Sequence, residues 1–273
     1  MIFKILKKYI KKRLNAFIIH SQALNDNTQQ IFTCIDYLYN KKRNKSVIYT
    51  CITGNYDDLP LYGFINKDFD YVCFTDNMKL LQFKNFAFWE IRPLYYNKLD
   101  NTRNNRWHKT HPHILFPEYE ESIYIDANIN ILSPYIFRCI DELKKSTILI
   151  PRHPLYDCIY NEIVRVLNII VKEGRENKAV VLKMKQLLDD CKFPRHYGLN
   201  ENNFIYRKHN DPQVIKIMDE WWYFIENYSK RDQLSLSYVL WKNKIIPQNI
   251  SIPNLRSKKN DIQFERHNPQ KIK

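Results

Sequence analysis

Apolar and β-branched residues fall into short runs along the chain, and each run ends on turn-forming residues. Val47-Ile48-Tyr49-Thr50-Cys51-Ile52-Thr53 stops at Gly54-Asn55, and Phe69-Asp70-Tyr71-Val72-Cys73-Phe74-Thr75 stops at Asp76-Asn77. Both read as strands followed by turns. Runs at residues 86–91, 122–125 and 147–150 predict three more strands, and 204–206 a short one. Residues 99–116 read as a helix rich in Arg, Lys and His. Residues 157–191 change to helical period, with Ile163, Leu167, Ile170 and Val171 on one face and Val180, Met184, Leu187 and Leu188 on another. Asp211-Pro212 supplies an N-cap and first-turn residue for a helix to about Tyr228. A further helix is expected over 229–242 and a last strand over 244–250.

Strands that alternate with helices imply an α/β domain built on a mainly parallel sheet. Such sheets bind ligands beyond the carboxyl ends of their strands. That rule puts Thr53-Gly54-Asn55-Tyr56, Thr75-Asp76 and Asp126-Ala127-Asn128 on one rim.

The ends of the chain differ from its middle. Ile2, Leu6, Tyr9, Ile10, Leu14, Phe17 and Ile18 recur at helical spacing, and residues 1–20 carry six Lys or Arg and no acid. This amphipathic helix is suited to an anionic membrane surface, or to packing on the domain with a solvated basic face. The chain therefore divides into a basic arm and linker (1–45), one α/β domain (46–250) and a basic, loosely held tail (251–273). The net charge of +14 calls for an acidic partner: nucleic acid, an anionic membrane or a phosphorylated substrate. No helix-turn-helix, RRM or OB signature supports nucleic acid, and much of the basicity lies in the termini. With four glycines there is no GxGxxG and no P-loop, which disfavours dinucleotide and Walker-type sites. Six widely spaced cysteines without a CxxC suit a reducing, cytosolic compartment.

Chemistry concentrates where the fourth strand ends. Ile123-Tyr124-Ile125 runs into Asp126-Ala127-Asn128, an acid and an amide two apart at the end of a buried run. Hard oxygen ligands of this kind suit Mn²⁺ or Mg²⁺ bridging a diphosphate, and a plain turn is the competing reading. Upstream, Arg103, Arg106 and Lys109 have helical spacing, with Arg103 and Lys109 the preferred clamp for a diphosphate. A solvated basic face is the alternative.

The Asp126-Ala127-Asn128 segment resembles the DxD region of GT-A glycosyltransferases, in a DxN form. The wider layout resembles a hexosyltransferase-like family first described as a domain of unknown function, with plant mucilage- and pectin-related members and bacterial polysaccharide-locus members. The matching pieces run in order from Tyr49-Thr50-Cys51-Ile52-Thr53-Gly54-Asn55-Tyr56-Asp57, through Tyr71-Val72-Cys73-Phe74-Thr75-Asp76, Ile123-Tyr124-Ile125-Asp126-Ala127-Asn128, Arg152-His153-Pro154 and Tyr160-Asn161-Glu162, to Ser229-Lys230-Arg231-Asp232-Gln233-Leu234-Ser235. The resemblance implies a Rossmann-like GT-A fold, a nucleotide-sugar donor, with UDP first choice, and a divalent metal on Asp126 and Asn128. It places Thr50, Thr53, Gly54 and Tyr56 around the base and ribose, with Asp76 a second candidate there. His153 would meet donor or acceptor, and Glu162 is a candidate base or acceptor ligand. Asp232 is the preferred catalytic carboxylate, either as general base or as stabiliser of an oxocarbenium-like state, although Ser229-x-x-Asp232 is also a capping box. His196 and His267 are weaker candidates for a further metal ligand. The departure from DxD is Asn128, which removes a negative charge. The expected activity is transfer of a hexose to a surface glycan or lipid-linked acceptor by a cytoplasmic enzyme peripheral on the inner membrane face. An inactive scaffold of the same fold and a basic nucleic-acid-binding protein are the alternatives.

Overall fold

The computed structural model describes residues 44–143 and 145–266. The basic arm at 1–43, His267 and the end of the tail lie outside the described residues.

Eight strands form one mixed sheet in the order β3-β4-β2-β1-β5-β8-β7-β9. They are β1 (Ser46–Ile52), β2 (Phe69–Thr75), β3 (Asn85–Phe86), β4 (Trp89–Pro93), β5 (Glu121–Ile125), β7 (Ile148–Pro151), β8 (Phe204–Arg207) and β9 (Ser251–Ile252). Two further strands, β6 (Ile129–Ile131) and β10 (Ile262–Phe264), form a separate antiparallel pair. β1 runs parallel to β2 and β5, and β2 runs parallel to β4, so Ile52, Thr75, Pro93 and Ile125 end on one rim. β8 is antiparallel to β5, with Ile125 opposite Phe204. That reversal brings the residues before β8 alongside Asp126, and Asp126 N donates to the Asn203 carbonyl at 2.9 Å.

Alternation along β1 splits the core in two. Val47, Tyr49 and Cys51 face one apolar layer, and Ile48 and Ile52 face the other. The first layer packs helices α1 (Asn101–Thr110), α4 (Ile159–Arg165), α5 (Lys178–Asp190), α6 (Pro212–Asn227) and α7 (Leu236–Lys242). The second holds α3 (Tyr135–Glu142) and the aromatic group Tyr62, Tyr71, Phe88 and Trp89. Among the described residues the remaining α-helix is the single turn α2 (Pro112–Leu115). No described helix is long and apolar enough to cross a membrane. Cys51, Cys73, Cys139, Cys158 and Cys191 are free thiols.

Several elements depart from the sequence reading for identifiable reasons. The strand expected over 86–91 folds back on itself, because Ala87 takes a positive φ of 52° and makes a turn between β3 and β4. The helix expected over 99–116 breaks at His111, since Pro112 has no N–H to continue the ladder. The long helical segment from 157 passes through a π turn at Val166–Ile170 before α5 begins. Residues 229–242 form a 3₁₀ turn, Asp232–Leu234, and then α7. The strand expected over 244–250 is a 3₁₀ turn, Pro247–Ile250, with the strand β9 following it. The tail is not loosely held as far as it is described. Ile252, Leu255 and Ile262 are 0%, 0% and 3% exposed, and β9 and β10 pair with β7 and β6. Burial of these three side chains, each worth about 1.5–3 kcal/mol, anchors the segment.

Candidate active site

Helix α1 is the site's platform. Asp100 caps its start by accepting from Arg103 N at 3.2 Å, a contact of about 1 kcal/mol. Its first turn is tied to the end of β1, because Thr53 Oγ1 donates to the Asn101 carbonyl at 2.8 Å. Its middle is tied there too, through Asn105 Nδ2 to the Cys51 carbonyl at 2.5 Å. Its last turn is gripped from below. Tyr49 Oη donates to the carbonyls of His108 and Lys109, and the buried Arg207 donates to the Lys109 carbonyl at 2.6 Å. The helix is thus fixed in register against the rim.

Its upper face carries Arg106 and Lys109 into two carboxylates from other elements. Lys109 Nζ, with a side chain 1% exposed, lies 2.8 Å from Asp232 Oδ2 and 3.4 Å from Asp126 Oδ1. The same ammonium donates to the Asn202 carbonyl at 2.8 Å. Arg106 Nε stands 3.0 Å from Asp232 Oδ2, close as an ion pair but poorly aligned as a hydrogen bond. Arg106 Nη1 reaches to 3.9 Å from Asp126 Oδ1. Asp126 comes from the end of β5, and Asp232 from the 3₁₀ turn, whose Asp232 carbonyl accepts from Trp221 Nε1 at 3.0 Å. Burial works against the charge on Asp232, but Arg106 and Lys109 outweigh it and hold the carboxyl down at about 2. Lys109 is pulled below its ordinary value by burial and by Arg106, while both acids work to keep it charged.

The rim's other expected residues gather around β1. Gly54 has a φ of +63°, and its N–H donates to both Asp76 oxygens at 3.0 and 2.9 Å. A Cβ there would stand 2.2 Å from Asn101 Nδ2, so the Asn101 side chain would have to shift, and the positive φ itself favours glycine. Tyr56 is half-buried just beyond, its N–H bonded to the Thr53 carbonyl.

A family model described as the TOD1/MUCI70 glycosyltransferase-like domain matches residues 17–261. The chain belongs to that family. It is therefore a glycosyltransferase at the level of the family, and the cluster of Arg106, Lys109, Asp126 and Asp232 lies inside the matched TOD1/MUCI70 segment. No curated protein matches the chain. Among solved structures it is similar to mouse xyloside xylosyltransferase 1 at 8% identity and TM-score 0.41, covering 77% of this chain and 84% of that one. It is similar to the mannosyltransferase Ktr4p of S. cerevisiae at 10% identity and TM-score 0.41, covering 81% and 77%. A third likeness is to S. aureus TarS residues 1–349, at 12% identity and TM-score 0.36, covering 72% of this chain and 55% of that one.

Not every expected residue of this TOD1/MUCI70 domain reaches the cluster. Arg103 is spent elsewhere: it pairs with Asp100 and donates to the carbonyls of Ile225 and Tyr228, closing the end of α6. Arg106 takes the place the sequence reading gave to Arg103. Thr50 is buried within β1 on the face of Ile48 and Ile52, with Oγ1 unpartnered, instead of on the rim. Glu162 is fully buried and clamped by Arg165 at 2.7 and 2.5 Å. His153 Nε2 lies 4.0 Å from Glu162, and His153 Nδ1 accepts from the N–H groups of Leu155 and Tyr156. Burial lowers the His153 pKa, with Glu162 opposing. Glu162 and His153 thus form a pair held away from open solvent, although α4 packs against the Asp232 turn. His196 pairs with Asp157 on an exposed surface.

The sequence reading missed the segment Asn200–Asn203. The carbonyls of Asn202 and Asn203 hold Lys109 and the Asp126 N–H. The side-chain amide of Asn202 is buried with neither polar atom partnered among the described residues, while Asn203 lies against the Glu201 carboxylate. The only signal in the sequence was four polar residues directly before a buried strand.

A divalent metal is the cofactor the DxN motif implies. Asp126 and Asn128 do stand together at the end of β5. Asp126 already faces two cations, however, and Asn128 brings no charge and gives its Nδ2 to the Glu265 carbonyl at 3.4 Å. Among the described residues no three His, Cys, Asp or Glu converge as ligands. This donor set does not fit a resident divalent cation.

Proposed function

We propose that this glycosyltransferase moves a hexose from a nucleotide sugar, with UDP first choice, to a surface glycan or lipid-linked acceptor. The observation that carries the reading is the paired cluster at the carboxyl ends of parallel strands, where two cations and two carboxylates meet on one rim. In this reading Gly54 lets the nucleotide approach the backbone, Tyr56 stacks on the base and Arg106 faces the diphosphate. Asp232 serves as a fixed negative charge. A carboxyl held at about 2 is a weak base at neutral pH. It is better suited to stabilising positive charge on the sugar ring than to deprotonating an acceptor. Both cation contacts fall on Oδ2, so Oδ1 takes no part in them. The basic arm at 1–20 supplies the reason to place the enzyme on the cytoplasmic face of an anionic membrane.

Calorimetric titration of UDP and a panel of UDP-hexoses into the full chain tests this reading. Binding by the wild type and its loss in Arg106→Ala, which removes the cation facing the diphosphate, is the expected result. No binding of any nucleotide sugar would discard the donor site and favour an inactive scaffold. Sedimentation with anionic liposomes tests the arm, since a chain lacking residues 1–20 should stay in the supernatant.

A further inference from the structure

We propose that Lys109 and Arg106 occupy the role of the divalent cation, so that this site holds its donor diphosphate without a metal. The inference rests on the donor reading above. The ammonium of Lys109 is surrounded as a bound cation would be, by Asp232 Oδ2 at 2.8 Å, the Asn202 carbonyl at 2.8 Å and Asp126 Oδ1 at 3.4 Å. Its side chain is 1% exposed, so water takes little part in balancing that charge. Arg106 faces the same two carboxylates at 3.0 and 3.9 Å. The four side chains in contact carry two positive and two negative charges, and Arg231 adds a further positive charge beside Asp232.

A divalent cation on Asp126 would enter a place whose carboxylates are already balanced and stand beside the like charges of Lys109 and Arg106. Asn128, where a second acid would restore the attraction, contributes none. Nor can Lys109 move aside readily. Its own backbone carbonyl accepts from Tyr49 Oη and from Arg207 at 2.6 Å, and the helix end is fixed with it. Moving the ammonium would also leave Asp232 buried with one partner fewer. Arg106 is the more exposed of the two, with a side chain 19% exposed, and it is the cation placed to meet phosphate oxygens from the rim.

The test reads Mn²⁺ binding to the protein alone, by the loss of the free-ion paramagnetic signal, and UDP affinity with Mn²⁺ or with EDTA. The proteins are the wild type, Lys109→Met and Asn128→Asp. The wild type should take up no Mn²⁺ at micromolar concentrations, and its UDP affinity should change less than about threefold on chelation. Lys109→Met leaves a carboxylate uncompensated, so Mn²⁺ binding should appear and UDP affinity should drop at least about tenfold in EDTA. Asn128→Asp should move the same way, and its half-buried position spares the core should Lys109→Met fail to fold. Loss of UDP binding by the wild type in EDTA, restored by Mn²⁺, overturns the inference and leaves the donor reading intact. A folded Lys109→Met that binds UDP in EDTA as the wild type does overturns it too. A wild type that binds UDP in neither buffer overturns the donor reading, and the inference falls with it.

Discussion

The two faces of α1 solve the burial of polar groups in opposite ways. Toward the rim, Arg106 and Lys109 stay charged because Asp232 and Asp126 lie against them. Toward the core, His108 and His111 stay neutral. His108 Nε2 accepts from the Tyr95 N–H at 2.9 Å, so its proton sits on Nδ1, which donates to the Asn104 carbonyl at 2.7 Å. His111 lies flat on Trp107 with ring centres 4.3 Å apart, its Nδ1 bonded to the Trp107 carbonyl. Burial drives His108, His111 and the neighbouring His209 down to about 4. The helix and its C-cap His111 thus carry an ionic face and a neutral aromatic face. The ionic face depends on partners from distant parts of the chain, whereas the aromatic face depends on exclusion of water. The proposed function rests on the first face, and the second fixes the helix in place.

Breaking the ionic face should have the largest effect. Asp232→Asn leaves Lys109 and Arg106 short of a counter-charge, and breaking such a buried pair costs about 3–5 kcal/mol. Urea denaturation should show a loss of that size, and transfer should fall at least about a thousandfold if the charge acts on the sugar ring. Activity within tenfold of the wild type would remove Asp232 from the chemistry.

Titration separates the faces without mutation. The three histidines have folded values near 4 against an ordinary 6.5. Below pH 6.5 the unfolded chain takes up protons that the folded chain refuses, so stability falls as pH drops from 6.5 to 4. The loss approaches roughly 3 kcal/mol for each fully buried histidine. Asp232 acts in a lower window. Its stabilising charge is fully present above its ordinary value of 3.8 and is lost as pH falls toward about 2. Unfolding free energies measured across this range should fall in two stages, the aromatic face first. A flat profile between pH 6.5 and 4 would show that the histidines are not held neutral.

Much of the sheet and half of the cluster could be read along the chain. Asp126 was legible because an acid that ends a buried apolar run contradicts its surroundings. Lys109 was legible by helical spacing as one of three cations with Arg103 and Arg106, but the spacing favoured Arg103 as its partner where the structure places Arg106. Six residues separate Arg103 from Lys109, about 9 Å along the axis and a third of a turn around it. Over that distance the helix passes from the rim to the end of α6, where Arg103 meets Ile225 and Tyr228. Asp232 stood out only through the resemblance of its Arg-Asp-Gln run, since a capping box explains the same letters. The Asn200–Asn203 segment gave almost no signal. Orphan amides are a property of tertiary packing, and polar residues before a strand read as a loop. Thr50 erred the other way: a strand's period of two sends alternate residues to opposite faces, and the chain does not mark which face holds the site.

The joint between β1 and α1 offers a smaller test. Gly54→Ala meets both a positive φ and Asn101 Nδ2 at 2.2 Å. A cost of about 1–2 kcal/mol is expected from the backbone conformation alone. Because α1 carries the cations, UDP affinity should fall along with the melting temperature. If stability drops and affinity holds, the rim tolerates movement of the helix and the fixed register of α1 is not needed for binding.

The smallest effect on stability, and the sharpest on mechanism, is expected at Asn202. Its carbonyl holds Lys109, and its side chain is buried at 3% exposure with neither polar atom partnered. Asn202→Leu keeps the carbonyl and removes the amide. An unpaired buried amide costs about 1–3 kcal/mol, so its removal should leave the melting temperature unchanged or raise it. A chain retaining such a group gains nothing from it in the folded state alone. If the filled site opens this pocket and brings the amide to sugar hydroxyls, transfer should fall while UDP affinity holds. A lower melting temperature with unchanged turnover per folded molecule would mean that the amide holds an internal water instead. The ionic face would then make its contacts with substrate through Arg106 and the two carboxylates alone.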